Sequence, residues 1–149
     1  QERKFHMNEM VVYKFGARRD RGLSAKEGIK FHYVHAIANN SRVLFTVKRF
    51  PDSVHRDMID RILLTTKDGS YAVLADVDQL GRFDKLTPPD GYTIPSIWND
   101  ERDMVGWFAL SNLREVTVEP GTYTTINGND LLQSISGRGY LTYVPEDEE

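Results

Sequence analysis

The chain of 149 residues contains no cysteine. This absence excludes disulfide bonds, thiolate zinc sites, iron–sulfur clusters and cysteine nucleophiles, and it is compatible with a reducing, cytoplasmic location. Long apolar runs are also missing, because the longest, such as Tyr71 to Ala75, are far shorter than the roughly 20 residues that span a bilayer. The first ten residues lack the apolar region of a secretory signal. We therefore expect no membrane partner.

Signatures of catalysis and of metal binding are scarce as well. His32 and His35 are three residues apart, which on a strand would turn them to opposite faces, and no carboxylate cluster accompanies them. The sequence has no G-x-S-x-G elbow and no Walker loop. The acidic residues Asp100, Glu101 and Asp103 are more typical of a solvated loop than of an acid–base or metal site. We expect no enzyme activity, no metal and no cofactor.

The composition, with 40% hydrophobic and 28% charged residues, is typical of one folded domain. A chain of this length buries enough surface to form a core without disulfides or metals. We expect residues 1–9 to be a flexible N-terminus, in which His6 and Met7 resemble a cloning junction, residues 10–144 to form a single domain, and residues 145–149 to be an acidic tail.

The net charge of −3 is unevenly distributed along the chain. Residues 1–61 contain 13 basic and 7 acidic side chains, whereas residues 62–149 contain 6 basic and 15 acidic ones. Such asymmetry either places a basic face on an acidic protein or disappears when folding mixes the two halves in space.

Hydrophobic patterning predicts an α+β fold in which a small curled sheet or pseudo-barrel of about five or six strands has helices packed outside it. Asn39, Asn40 and Ser41 are suited to cap a helix, because their side-chain oxygens accept the free N–H groups of a first turn. Asp68-Gly69 favours a tight hairpin turn. The predicted strands are 10–16, 29–38, 63–66, 71–77, 105–110, 116–118 and 140–144, the predicted helices are 41–50, 53–62 and 131–135, and 81–104 is a long loop.

The two tryptophans lie in different contexts. Trp107 lies within the apolar strand MVGWFAL and is predicted to be in the core. Trp98 lies in the proline-rich loop 81–104, where no strand or helix periodicity accounts for it. It either stacks on a nucleic-acid base, an interaction worth about 1–3 kcal/mol, or anchors the loop as a lid on the sheet.

Three segments together resemble a known family. They are FHYVHAIANN followed by the predicted helix, the hairpin IDRILLTTKDGSYAVLADV, and IPSIWNDERDMVGWFALSNLREVTVEPGTYTTINGNDLLQSI. In this layout, over about residues 29–137, the chain resembles the YTH domain and the related EVE domains of the PUA-like superfamily. Ala38 stands where the YTH pattern has a serine. The tryptophan that YTH domains place after the first helix has no match in this chain, and Phe50 is the nearest aromatic residue. These departures favour an EVE-like or divergent pocket.

The resemblance implies a reader that takes a modified base, for example a methylated one, from DNA or RNA into an aromatic pocket by base flipping. Such a module could be the targeting domain of a larger, modification-dependent restriction protein. The base-binding candidates are Trp98, Asn39, Asn40, Phe50 and Tyr33, although the two asparagines also suit a purely capping role. The phosphate-binding candidates are Arg18, Arg19, Arg21, Lys48, Arg49 and Arg56.

Two other functions fit the sequence. One is a protein-interaction adaptor whose Trp98 loop inserts into a partner. The other is a small hydrolase or nuclease of the PUA-like group that uses Arg102 and the neighbouring acidic residues. Steep salt dependence would favour nucleic-acid binding over an aromatic protein contact.

Overall fold

The computed structural model describes residues 8–98 and 101–146. Within them the predicted α+β class is confirmed, as one six-stranded mixed sheet that does not close into a barrel. The strands are β1 (Asn8–Lys14), β2 (Arg42–Val47), β3 (Ile59–Thr65), β4 (Ala72–Arg82), β5 (Gly106–Val116) and β6 (Leu141–Glu146). The helices are α1 (Ala25–Ala38), α2 (Ser53–Arg56) and α3 (Leu131–Ile135), with 3-10 turns at Arg19–Arg21 and Ser96–Trp98.

The strands follow the order β2-β5-β4-β3-β1-β6. Only the pair β1 and β3 is parallel, and the other neighbours are antiparallel. The predicted hairpin around residues 63–77 is confirmed as β3 and β4. Its loop differs from the predicted tight turn, because Thr66 N donates to Tyr71 O at 3.0 Å across four residues and only Gly69 has a positive φ, of 74°. A Cβ at Gly69 would lie 2.4 Å from Leu132, so a side chain there meets both strain and a clash.

The predicted strand over residues 29–38 is wrong, because this segment belongs to helix α1. The helix starts at a capping box, in which Glu27 N donates to Ser24 Oγ at 3.1 Å and Ser24 N donates to Glu27 Oε1 at 2.7 Å. Its buried positions are Gly28, Ile29, His32 and Ala36, which follow helical spacing. The alternation of aromatic residues that suggested a strand instead places Phe31 on the exposed side.

The predicted helix over residues 41–50 is also wrong, because residues 42–47 form strand β2. Asn40 and Ser41 have φ values of 59° and 62°, so they form a turn rather than the start of a helix. Val43, Leu44 and Val47 fit either period, and the short β-branched segment RVLFTV pairs with β5 along its whole length. Pairing with β5 satisfies the backbone hydrogen bonds of residues 42–47, and this favours the strand over a helix.

The predicted helix 53–62 is reduced to the four residues of α2. From Ile59 the chain pairs with β1 on one side and β4 on the other, so tertiary pairing overrides the helical spacing of Met58 and Ile62. The expected domain limits also shift slightly, since β1 already begins at Asn8 and β6 continues to Glu146. Residues 1–7 and 147–149, which hold most of the expected flexible N-terminus and acidic tail, lie outside the described residues.

These corrections bear on the resemblance to YTH and EVE domains. That resemblance depended on a strand followed by a helix over residues 29–50, and the structure has the two elements in the opposite order. The hairpin, the strand with Trp107 and helix α3 do follow the expected layout. The resemblance loses the segment that supported it most, so the function has to be argued from the geometry of the site.

The sheet is strongly curled. The ring of Tyr13 in β1 lies 5.3 Å from that of Phe45 in β2, although three strands separate β1 from β2 in the sheet order. Helix α1 contributes Ile29 and Ala36 to the core inside this curl, and α3 covers a smaller core on the opposite face. In the part of the chain that the structure describes, no helix is long and apolar enough to cross a membrane.

Trp107 lies in the core as predicted, with none of its surface exposed. Its indole lies against Gly81, where a Cβ would come within 2.8 Å of the ring, and its Nε1 donates to Leu86 O at 3.0 Å. We expect Trp107→Ala to lower the free energy of unfolding by about 3–5 kcal/mol, because it creates a large cavity and leaves a carbonyl without its donor. Urea unfolding measures this loss. Trp107→Phe should lose less, and a loss below about 1 kcal/mol for the alanine variant would contradict the core assignment.

Candidate functional site

The curl of the sheet leaves a cleft between β1 and β2. Its volume is about 560 Å³, which lies within the usual range for small-molecule sites of about 300–1,000 Å³. Aromatic rings and charged groups meet there at one opening. The lining residues are Tyr13, Lys14, Phe15, Gly16, Ala17, Arg18, Asp20, Phe45, Thr46, Lys48, Trp98, Glu101, Met104 and Tyr140.

Trp98 lines this cleft and is also packed against helix α1. The indole centroid lies 5.0 Å from that of the His32 ring and 6.2 Å from that of the Phe31 ring. Only 8% of the residue is exposed. Gly28 leaves room for the Phe15 ring, since a Cβ there would lie 3.2 Å from that ring, whereas its distance of 3.7 Å to the indole is an ordinary contact. Trp98 is therefore an anchor of its loop, as the lid alternative expected, and only part of its surface faces the cleft.

His32 lies behind the aromatic wall and organises it. Its ring is 5.7 Å from Phe15, 5.4 Å from Phe45 and 5.0 Å from Trp98. Its Nδ1 donates to Gly28 O at 2.9 Å, which fixes the tautomer because a carbonyl only accepts. Burial lowers the pKa of His32 to about 4, so the ring is neutral at pH 7. Sequence analysis considered His32 only as a metal ligand and missed this role.

Glu101 ties the Trp98 loop to the 3-10 turn at residues 19–21. Its carboxylate accepts from Arg18 at 2.6 Å and from Arg21 at 3.0 Å, and Arg21 also donates to Ile97 O at 2.6 Å. Hydrogen bonding from Arg18, and secondarily from Arg21, lowers the pKa of Glu101. The two arginines predicted to bind phosphates are thus already engaged with a partly buried carboxylate, and Arg18 also binds Asp20.

The other predicted phosphate ligands are dispersed. Lys48 is exposed and lines the cleft, and the Arg49 guanidinium lies 5.7 Å from the centroid of the cleft residue Tyr140. Arg56 instead donates to Pro51 O and lies over Phe50, and exposed Arg19 does not line the cleft. Of the six predicted residues, the structure brings Arg18 and Lys48 into the cleft.

Asn39 and Asn40 do not line the cleft. Asn39 ends helix α1, where its side-chain amide donates to His35 O at 2.7 Å. It follows His32 by seven residues, which corresponds to roughly 10 Å along a helix axis. Asn39 has the capping role that was the alternative for this residue, although at the C-terminus of a helix rather than at the N-terminus. The charged and polar residues in the lining of the cleft are Lys14, Arg18, Asp20, Thr46, Lys48 and Glu101, and the alternation of β2 turns the Thr46 side chain to the face of Trp107.

Phe50 and Tyr33, the other predicted base-binding residues, also lie outside the cleft. Phe50 packs 5.6 Å from Phe108, and Tyr33 packs against the main core. The aromatic residues that sequence analysis missed are Tyr13, Phe15, Phe45 and Tyr140. Tyr13 and Phe15 alternate along β1 and its continuation, but Phe45 and Tyr140 lie far away in the chain and join them only because the sheet curls, so no local pattern identifies the group.

Within residues 8–98 and 101–146 no group of three or more histidine or acidic residues could hold a metal ion. His32 and His35 both lie on α1, where His35 contacts Thr93 Oγ1 at 2.7 Å and His32 bonds the backbone. Asp100, one of the three acidic residues singled out in the sequence, lies outside the described residues. The two carboxylates that line the cleft, Asp20 and Glu101, both accept from Arg18.

Comparisons of the chain with models of protein families, with curated proteins and with solved structures found no match. The cleft itself consequently carries the functional argument.

The lowered pKa of His32 predicts a pH-dependent stability. The unfolded chain takes up a proton near pH 6.5 that the folded chain refuses down to about pH 4, so the free energy of unfolding falls as the pH falls through this window. We expect His32 to contribute a loss of about 2 kcal/mol between pH 7 and pH 5. Urea unfolding at both values should show a smaller loss for His32→Asn. Burial also lowers the pKa of His35, which is less buried than His32, so His35→Gln should reduce the loss by a smaller amount. Identical pH dependence of the wild type and His32→Asn would contradict the assignment.

The contacts of Glu101 with Arg18 and Arg21, here called the clamp, predict that substitution of Glu101 destabilises the protein at the Trp98 loop. Glu101→Gln leaves two guanidinium groups with a weaker acceptor, so we expect the free energy of unfolding to fall by about 1–3 kcal/mol. Asp103→Asn is a matched control, because Asp103 is exposed on the same loop. Equal losses for the two variants in urea unfolding would show that the clamp does not stabilise the loop.

Proposed function

We propose that this chain is a nucleic-acid-binding module that takes one unstacked, modified base into the cleft between β1 and β2. The observation that carries the proposal is that five aromatic and three cationic residues line one cleft of about 560 Å³, with Phe15 partly and Tyr140 largely exposed. Aromatic rings combined with positive charge are the usual basis of single-strand binding.

Stacking is the first part of this recognition. The partly exposed ring of Phe15 offers its free face to the base and is backed by the buried ring of Phe45, with centroids 5.6 Å apart and planes inclined by 21°, while Trp98 and Tyr140 complete the aromatic lining. Each stacked base gains about 1–3 kcal/mol. This gain is similar to the few kcal/mol needed to unstack and unpair a base.

Hydrogen bonding to the base edge is the second part. Ionised Glu101 accepts from an exocyclic amino group, and Arg18 donates to a ring nitrogen or carbonyl oxygen. The apolar surfaces of Phe15 and Met104 supply an environment for a methyl substituent, where burial of one such group stabilises by about 0.8 kcal/mol. These features support a methylated base as the ligand.

The two alternative functions have less support. A Trp98 loop that inserts into a protein partner needs an exposed indole, whereas Trp98 is buried against His32. A hydrolase that uses the acidic loop needs a carboxylate available for proton transfer, whereas Glu101 accepts from two guanidinium groups. A restriction activity would require domains beyond this one, so the proposal is confined to the binding step.

Two substitutions in the cleft separate recognition of the base from attraction of the backbone. We expect Met104→Ala to reduce discrimination between methylated and unmethylated strands by about 0.8 kcal/mol, because apolar surface for the methyl group is lost. Lys48→Ala should weaken all single strands alike and reduce the slope of log affinity against log salt by about 0.7. Fluorescence anisotropy with labelled oligonucleotides measures both effects.

Matched controls lie outside the cleft. Asn39→Ala and Lys85→Ala should leave affinity and discrimination unchanged, since neither residue lines the cleft. A change of discrimination in Asn39→Ala would show that the base lies elsewhere, and a wild-type protein that binds no oligonucleotide would refute the proposed function.

A further inference from the structure

A second groove adjoins the cleft and has a different electrostatic character. Its volume is about 610 Å³, and it shares Lys14, Phe15, Gly16, Ala17 and Tyr140 with the cleft. Beyond them it is lined by Ala25, Lys67, Ser136, Gly137 and Arg138. Its lining therefore includes three cationic side chains and no carboxylate, whereas the cleft also contains Asp20 and Glu101.

The topology of the sheet explains why these cations meet. Lys14 and Thr65 are register partners at the carboxyl ends of the parallel strands β1 and β3, so Lys67 follows at the same edge of the sheet. Strand β6 runs antiparallel to β1 and pairs Leu141 with Tyr13, which brings the preceding residues Arg138 and Tyr140 to that edge. Three segments distant in sequence thus contribute one basic surface.

Lys14 holds one wall of the second groove in place. Its ammonium donates to Ile135 O at 2.8 Å and to Gly137 O at 2.5 Å, so it fixes the segment that carries Arg138. Burial, and then the positive charge of Lys67, lowers the pKa of Lys14. Among the described residues neither Lys67 nor Arg138 has a salt-bridge partner. An anion between these groups would relieve their mutual repulsion.

Tyr140 lies where the cleft and the second groove meet. The residue is 54% exposed, and the Arg49 guanidinium and the Lys14 ammonium lie 5.7 Å and 5.9 Å from its ring centroid. Its backbone is fixed independently, because Lys14 N donates to Tyr140 O at 3.0 Å. An exposed ring on a fixed backbone beside a basic groove suits stacking of a base next to a phosphate.

We propose that the second groove binds the sugar–phosphate backbone of a single strand, with Lys67 and Arg138 on the phosphates and Tyr140 stacked on the base next to the one in the cleft. This inference rests on the function proposed above and specifies its substrate class as unpaired nucleic acid. A base within a duplex is already stacked and paired, so it cannot also stack on Tyr140. The backbone path also differs from the one expected over Arg18, Arg19 and Arg21, two of which are bound to Glu101.

The test compares three ligands by fluorescence anisotropy and by competition: a short labelled single strand with one methylated adenine, the same strand annealed to its complement, and the methylated nucleoside alone. For the double variant Lys67→Ala/Arg138→Ala we expect the salt slope for the single strand to fall by about 1.4, at 0.7 per phosphate contact. Competition by the nucleoside should be unchanged, because the nucleoside has no phosphate. Arg19→Ala/Lys85→Ala removes the same charge from outside the groove and should preserve the slope.

Tyr140 is tested separately. Tyr140→Ala should weaken the single strand roughly ten- to hundredfold, which corresponds to loss of one stacked base, and should weaken the nucleoside, which has no neighbouring base, much less than the strand. Tyr140→Phe should retain affinity because it keeps the ring. Circular dichroism and thermal unfolding of each variant verify that the fold is intact, as expected for exposed side chains.

The outcomes separate the two proposals. If the wild type binds the single strand but the groove variants keep its salt slope and affinity, the backbone site in the second groove is refuted. The base site proposed for the cleft is then retained. Equal affinity for the single strand and the duplex would also overturn the inference. If the wild type binds none of the ligands, the proposed function fails, and the inference fails with it.

Discussion

The contact between Tyr13 and Phe45 is the constraint on which the rest of the structure depends. It joins β1 to β2 across the sheet at 5.3 Å, and the Tyr13 hydroxyl extends the connection by donating to Arg49 O at 2.7 Å. Burial raises the pKa of Tyr13, so this donor keeps its proton. Because two aromatic rings fill the space between these strands, the sheet curls without closing, and the gap left between β1 and β2 is the cleft.

The same curl divides recognition into two electrostatic environments. In the cleft, Asp20 and Glu101 balance much of the charge of Arg18, which leaves aromatic surface and hydrogen-bonding groups as the dominant features. In the second groove no carboxylate is part of the lining, and Lys67 and Arg138 dominate. These two environments suit the two parts of a nucleotide. Stacking of a neutral base needs desolvated rings, and phosphates need uncompensated positive charge.

Features that depend on neighbouring residues could be predicted from the sequence. Features that depend on pairing between distant strands could not. The α+β class, the hairpin at Asp68-Gly69 and the core position of Trp107 follow from local pattern. The helix α1 was missed although the capping box of Ser24 and Glu27 announces it, because alternation of Phe31 and Tyr33 was given more weight. Trp98, Arg18 and Lys48, which were singled out because loop aromatics and basic residues are conspicuous, line the cleft. Tyr13, Phe15 and Phe45 were not, because their meeting depends on the register and curl of the whole sheet.

Arg18 couples recognition in the cleft to the stability of the loop that forms its wall. Its guanidinium binds Glu101 and Asp20 while it lines the cleft, and Glu101 in turn holds Arg21. A base that accepts a hydrogen bond from Arg18, or donates one to Glu101, joins this network without breaking it, since each group has further donor or acceptor capacity. A phosphate at the same place would instead compete with Glu101 for Arg18 and would be repelled by two carboxylates. In the proposed function, the network that closes the cleft favours the uncharged part of a nucleotide, and the charged part lies towards Lys67 and Arg138.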